Sequence, residues 1–368
     1  MALTNFAALT SQQKIIWSRD LWQNARDQMF IKRFTGTGDN SLIQRITDLT
    51  KTERGEKVLM HLVADLTTDG VVGDNQREGN EEAMQSYNLD LQIDLLSQQV
   101  RNKGKMSDQK SIINFREQAR DKLAYWLANR IDQLAFLTLS GVSYAYQTNG
   151  AARTGSALAQ LSFAADVSAP TTNRHRRWDV STTNTLQAGS TADVAAADVP
   201  SYEMIVQLVS YAKTHYVKPL MSGGKEYYVL LVHPGTLAKL KMDSNYLNAI
   251  VNAAPKGDQN PFFTGATVTV DGAVLHEHRM VFNTLGLASG SKWGSGSLID
   301  GTRTLLCGAQ ALAMADLGPP EWAEETFDYG AQQGISVDKM FGLRKPKFMS
   351  PYDGTVEDFG VIACDHAL

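Results

Sequence analysis

Cysteine is almost absent from the 368 residues, with Cys307 and Cys364 far apart in the chain. That excludes a disulfide framework, leaves no thiol set for zinc and favours a reducing compartment. Histidine numbers 7, so the side chain most used for proton transfer and metal binding is thinly spread. No run approaches the roughly 18 apolar residues of a membrane span, and residues 1–10 lack the positive charge that opens a secretory signal. Excess positive charge is missing as well: 35 basic residues face 39 acidic ones, for a net charge of −4. The pI is near 6.0, whereas a domain that coats duplex DNA has a pI above about 9. Tight DNA coating is thereby excluded, and the expectation is a soluble, intracellular, mildly acidic protein.

What the chain does have is 43% hydrophobic residues, 20% charged residues and 29 glycines, enough for a sizeable core with many permissive joints. Its length suggests two domains of roughly 150 residues each, or one with long extensions.

Ile15, Ile16, Trp17, Trp22, Ala25 and Met29 recur at mostly helical spacing behind Thr10 or Ser11 as N-cap, and turn residues 35–40 should stop that helix. Trp17 and Trp22 need cover, either from their own domain or from a neighbouring subunit on which a terminal arm would lie. Residues 57–64 and 89–95 read as strands, the second alternating strictly. Between them a long stretch has neither period, a pattern of functional or mobile loops, so residues 57–100 are expected to project as a long hairpin. Its charge is one-sided: Asp65, Asp69, Asp74, Glu78, Glu81, Glu82, Asp90 and Asp94 face Arg77 alone. The next stretch reverses the sign, with Arg101, Lys103, Lys105, Lys110, Arg116, Arg120 and Lys122 against Asp108, Glu117 and Asp121. These are either two solvated faces, or the hairpin of one copy lying on the basic helix of the next, where complementary potentials fix register.

Ser107 or Asp108 can cap a helix whose apolar positions include Ile112, Phe115, Ala119, Leu123, Trp126, Leu127, Ile131, Leu134, Phe136 and Leu137, with Gly141 closing it. Residues 109–139 would span about 46 Å, the length of a strut. Residues 141–200 are loop-rich and carry one basic knot, Arg174, His175, Arg176 and Arg177, beside Trp178. A helix resumes after Pro200. Residues 227–232 form an apolar run that reads as a buried strand, and His233 and Pro234 then open a helix. Asp271 and Gly272 mark a hairpin turn within residues 267–280. Residues 334–343 and 359–364 read as further strands, so the chain mixes α and β without a regular βαβ rhythm.

Candidates for chemistry are few. His276 and His278 would share one face of a strand and could reach one metal, yet no third ligand follows by spacing. Segment 222–225 lacks the frame of a phosphate loop, and glycine-rich 286–296 contains no nucleophile elbow. The arginines of the knot could meet phosphates, a neighbouring subunit or local acids. No cofactor is expected.

The order of parts resembles the major capsid proteins of tailed double-stranded-DNA phages, with the Hong Kong 97-type fold. The strings Tyr228-Val229-Leu230-Leu231-Val232-His233-Pro234, Gln259-Asn260-Pro261-Phe262-Phe263-Thr264-Gly265-Ala266, Glu324-Glu325-Thr326-Phe327-Asp328-Tyr329-Gly330 and Phe341-Gly342-Leu343-Arg344-Lys345 resemble a podovirus-type branch. The resemblance implies an α+β fold with an N-terminal arm and lead-in (1–56), an extended hairpin loop (57–106), a peripheral domain (107–199) holding a spine helix at 107–141 and a loop-rich insertion, an axial domain (200–320) and a return to the peripheral domain (321–368). It implies an icosahedral head in the virion, assembled in the host cytoplasm from hexamers and pentamers, with a portal, scaffold or decoration proteins and loosely contacted DNA as partners, and no membrane. On this reading Glu78, Glu81 and Glu82 meet Lys110, Arg116, Arg120 or Lys122 of an adjacent copy, Trp17 and Trp22 cover a neighbour, and Arg174, Arg176 and Arg177 touch a subunit or DNA. The alternatives are an encapsulin-like compartment shell and a metal-dependent enzyme using His276 and His278.

Overall fold

The computed structural model describes residues 11–47, 55, 57–63, 69–81, 86–106, 115–180, 182, 184–253 and 268–368. Two sheets and one long helix organise them. The helix Phe115–Ser140 is buried almost all round in its second half, where Ile131, Leu134, Ala135, Phe136, Leu137 and Leu139 all lie inside. A helix apolar on every side belongs within a core rather than on a surface. It ends as its sequence directs: Gly141 takes φ +67°, its N–H donates to Thr138 O at 3.1 Å and that of Val142 to Leu137 O at 3.0 Å. This is the paired closure that only a residue at ease in the left-handed region completes. The expected start of this helix, at Ser107 or Asp108, lies outside the described residues.

The eight-stranded sheet runs Thr269–Val270, Ala273–Glu277, Lys225–Val232, Gly301–Cys307, Val361–Ala367, His175–Asp179, Thr185–Ala188, with Leu220–Ser222 pairing the Lys225–Val232 strand. Its central strands are apolar on both faces because both faces are covered. Val229, Leu231, Leu305 and Cys307 join the core around the long helix, while Tyr228, Leu230, Val232 and Leu306 join a second core under the helix Tyr202–Thr214. The unbroken apolar run at 228–232 follows from that two-sided burial. Asp271 and Gly272 both have positive φ, 47° and 80°, the turn their sequence predicts, although the strand after them ends at Glu277. His233 caps the helix Pro234–Met242 by accepting from Gly235 N at 3.1 Å.

The six-stranded sheet is built on the long strand Gln332–Arg344. Asp94–Arg101 pairs one side of it, and Glu321–Phe327 and Leu312–Asp316 share the other, followed outward by Ile43–Ile46 and Thr35–Gly36. The final segment therefore divides: residues 321–344 lie in this sheet, whereas Val361–Ala367 enters the middle of the other one, beside Gly301–Cys307. Nothing in the apolar pattern of 361–367 distinguishes one sheet from the other.

The described N-terminal residues belong to the body. The helix Ser11–Gln28 lies along the long helix and puts Leu21, Trp22 and Ala25 into the main core. Asp132 of the long helix accepts from Phe30 N at 2.9 Å and Ile31 N at 3.2 Å, which ties the end of this segment down. Leu21, Trp22 and Ala25 therefore have a surface on their own chain, whereas Ile15 and Ile16 at the start of the helix stay exposed.

Candidate assembly site

The strands Lys57–Val63 and Ser86–Gln92 pair from Lys57↔Gln92 to Val63↔Ser86, giving a ribbon of about 24 Å at 3.4 Å per residue. Its base is anchored: Val58, Met60, Leu89 and Leu91 pack on Ala313 and Ala315. There the ribbon crosses the long strand so closely that a Cβ on Gly342 would lie 2.1 Å from Gln92 O. No side chain fits at that crossing, which is why glycine stands mid-strand.

At the far end, residues 69–81 are exposed but for half-buried Val71, and among the described residues their hydrogen bonds stay within the segment. Asn75 Nδ2 donates to Val72 O, Asn80 Nδ2 to Gln76 O and Gly79 N to Glu81 Oε2 at 2.7 Å. Asp69, Asp74, Glu78 and Glu81 stand there against Arg77. Glu82 lies outside the described residues.

Within the basic stretch that follows it in sequence, the two arginines of the long helix are engaged by their own chain, while Arg101, Lys103, Lys105 and Lys122 are exposed. Arg116 turns inward and donates to both carboxylate oxygens of Glu324, at 3.0 and 2.9 Å. Arg120 bonds Asp121 at 3.0 Å and lies over the Trp17 ring at 5.4 Å. Long guanidinium stems cover apolar surface as well as carry charge, and here that leaves Glu117 and Asp121 exposed beside Lys122. Lys110 lies outside the described residues.

Both candidate tryptophans are covered by their own chain. Trp17 meets Trp322 at 5.7 Å, and Trp22 is buried with Lys339 Nζ 4.1 Å from its ring centroid. Lys339 is itself buried and paired with Asp316.

The basic knot is likewise held inside the chain. Arg174 is fully buried, bonded to His215 O at 2.8 Å and paired with Glu357 at 3.1 Å. Arg176 donates to Tyr211 Oη and lies over that ring at 4.3 Å. Arg177 pairs with Asp179 at 3.0 Å and Asp198 at 3.3 Å. Strand alternation carries the signal for this division, since it sends Arg176 and Arg177 to opposite faces, each with its own partners.

His276 and His278 are packing residues. The His278 ring stacks on Phe30 at 4.2 Å and on Phe136 at 5.0 Å, and His276 meets Phe34 edge-on at 5.0 Å. Among the described residues no group of three His, Cys, Asp or Glu is placed to hold a metal ion. Burial, with Arg279 and Arg33 nearby, lowers the His278 pKa from 6.5 to about 4. Between those values the unfolded chain binds the extra proton, so His278 takes stability away as pH falls through that window. His366, lowered to about 4 by burial, adds to the loss, while Asp132, raised to about 6 by burial, opposes it. His278→Phe is expected to flatten the fall of the unfolding midpoint between pH 6.5 and about 4; an unchanged slope in thermal melts across that range would contradict it.

Comparison with known proteins places this geometry. Residues 5–368 match the family described as phage capsid protein. The chain is 51% identical over 361 residues to the major capsid protein of Pseudomonas phage KPP25, covering 98% of this chain and 96% of that one. Among solved structures it resembles the capsid of Ralstonia phage GP4, with TM-score 0.75 and 26% identity over 100% of this chain and 98% of that one. It also shares the fold of the cyanophage Pam1 capsid, with TM-score 0.71 and 18% identity over 100% and 96% of the two chains.

Proposed function

Because the chain belongs to the phage capsid protein family, as a structural major capsid protein that forms the phage head, we propose that its acidic hairpin is the joint between neighbouring copies in the shell. The tip of one copy lies along the long helix of the next. The observation that carries this is a two-stranded ribbon that packs at its base, whose charged tip, among the described residues, has hydrogen bonds only to itself. A lone two-stranded ribbon is marginal in water, so a surface on a neighbouring copy would give it order.

On this reading the copies form hexamers and pentamers, meet a portal and any scaffold or decoration protein at their margins, and touch packaged double-stranded DNA weakly and without sequence preference. The podovirus-type branch is supported by the ordered strings at 228–234, 259–266, 324–330 and 341–345. With Arg116 and Arg120 engaged inside the chain, Lys122 is the member of the expected basic set that stays exposed among the described residues.

Glu78→Lys with Glu81→Lys tests the joint. Both positions are exposed, so the folded subunit should keep its stability to within about 0.5 kcal/mol. Closed particles should disappear from negative-stain micrographs of the expressed protein. Shells of normal size and yield would show that the acidic tip is not part of the joint.

A further inference from the structure

An open cleft of about 630 Å³ lies between the strand Asp94–Arg101, the long helix and the loop 153–161. Two half-buried guanidiniums line it, and both lean on one neutral acceptor. Arg130 Nη1 donates to Gln133 Oε1 at 2.8 Å, Arg153 Nη2 donates to the same oxygen at 3.0 Å, and Arg153 Nε donates to Tyr146 O at 3.0 Å. Neither arginine has an acidic partner among the described residues. Burial and the Arg130 charge push the Arg153 pKa below its ordinary value, the mark of a site short of negative charge. The acid that also lines the cleft, Asp94, is taken up by Leu95 N, Ser162 N and Ser162 Oγ at 2.7, 2.6 and 3.1 Å. Two like charges held together in a partly closed cleft are a receptor for carboxylates, and a guanidinium can bind one through two parallel hydrogen bonds.

We propose that this cleft seats the acidic hairpin tip of a second copy, with Arg130 and Arg153 receiving the carboxylates of Asp74 and Glu78. The proposal rests on the hairpin being an inter-copy joint, and it assigns the receiving site. Asp74 and Glu78 have no partner among the described residues, and the tip's own bonds fall within residues 72–81, so the cleft of its own chain is not its seat. The cleft also continues the exposed side of the helix. Lys122, Trp126, Arg130 and Gln133 follow one another at i, i+4, i+8 and i+11, a single stripe. An acidic strip laid along the helix meets Lys122 on its flank and the paired arginines where the groove deepens.

Three variants of the full-length chain and one cross-link test this. Hairpin reversal (Asp74→Arg with Glu78→Arg) and cleft reversal (Arg130→Glu with Arg153→Glu) should each lose closed particles, and the two combined should recover them. Full particle yield from the cleft reversal, beside loss from the hairpin reversal, overturns the cleft assignment and leaves the hairpin joint standing. Full yield from the hairpin reversal overturns both. Should the cleft reversal fail to fold, Glu78→Cys with Thr154→Cys decides instead. Both positions are exposed, whereas Cys307 and Cys364 are buried, so mild oxidation of assembled particles addresses the new pair. A ladder of disulfide-linked copies on a denaturing gel supports the seat; normal particles that give only monomer overturn it.

Discussion

Asp365→Ala should cost the folded subunit about 3–5 kcal/mol, the range for breaking a buried ion pair on one side only. Asp365 is fully buried in the strand Val361–Ala367. Its carboxylate receives Arg303 Nε at 2.7 Å and Arg303 Nη2 at 2.9 Å, and pairs with His175 Nε2 at 2.7 Å. Arg303 Nη1 donates in turn to Ser140 O at 2.8 Å, at the last residue of the long helix. One carboxylate thus fastens three neighbouring strands of the larger sheet to the end of the long helix. Removing it leaves a guanidinium closed off from water without its anion, and the protein should collect in the insoluble fraction or melt far below the parent. Asp365→Asn keeps the shape and one acceptor oxygen and should fall between. The Arg303 charge and the hydrogen bonds from Arg303 and His175 hold the Asp365 pKa down at about 2, against the desolvation of burial. Its stabilisation is therefore present above the ordinary carboxylate value and is lost only as pH drops from there toward about 2. A melt within 1 °C of the parent at pH 7, roughly 0.8 kcal/mol for a chain of this length, would mean that the network is not what holds the sheet to the helix.

The second large effect falls on assembly alone. Replacing residues 64–85 by Asn-Gly joins Val63 to Ser86, a directly paired position that a two-residue turn can close. The base of the ribbon on Ala313 and Ala315 is retained. Circular dichroism and the melting midpoint should stay close to the parent, while closed particles are lost altogether. Shells formed at normal yield by this shortened chain would remove the hairpin from any role in joining copies. A shortened chain that also loses its fold would show that the tip supports the subunit itself.

Much of the fold was legible because certain residues permit one local answer. Gly141 ends a helix where a left-handed residue is required, Asp271-Gly272 turns a hairpin, and the apolar run at 228–232 reads as a strand covered on both faces. The proposed joint rests on what was legible as an acidic loop between two strands. The receiving side proposed for it was not, because a count of charges along a helix does not say which way each points. Arg116 and Arg120 follow the apolar face inward, toward Glu324 and Trp17, and Glu117 and Asp121 are left outside. Arg130 and Arg153 come together only through the loop after the helix, so no local spacing reveals them. The one available signal was the stripe that Arg130 shares with Lys122 and Trp126. The destination of Trp22 was hidden for the same reason, since its partner Lys339 comes from a distant strand.

The small strand Ile43–Ile46 lies parallel to Leu312–Asp316, and His175–Asp179 lies parallel to Val361–Ala367. Each closure joins stretches of chain made far apart in time, so neither sheet can be completed locally. Folds dominated by such distant pairings form slowly, because loop entropy must be overcome before the pairing stabilises anything. Until then the apolar edges of Leu312–Asp316 and Gly301–Cys307 are open to the wrong neighbour. A head can then add only those copies whose first and last strands have already met, so each subunit's own closure comes before its place in the shell.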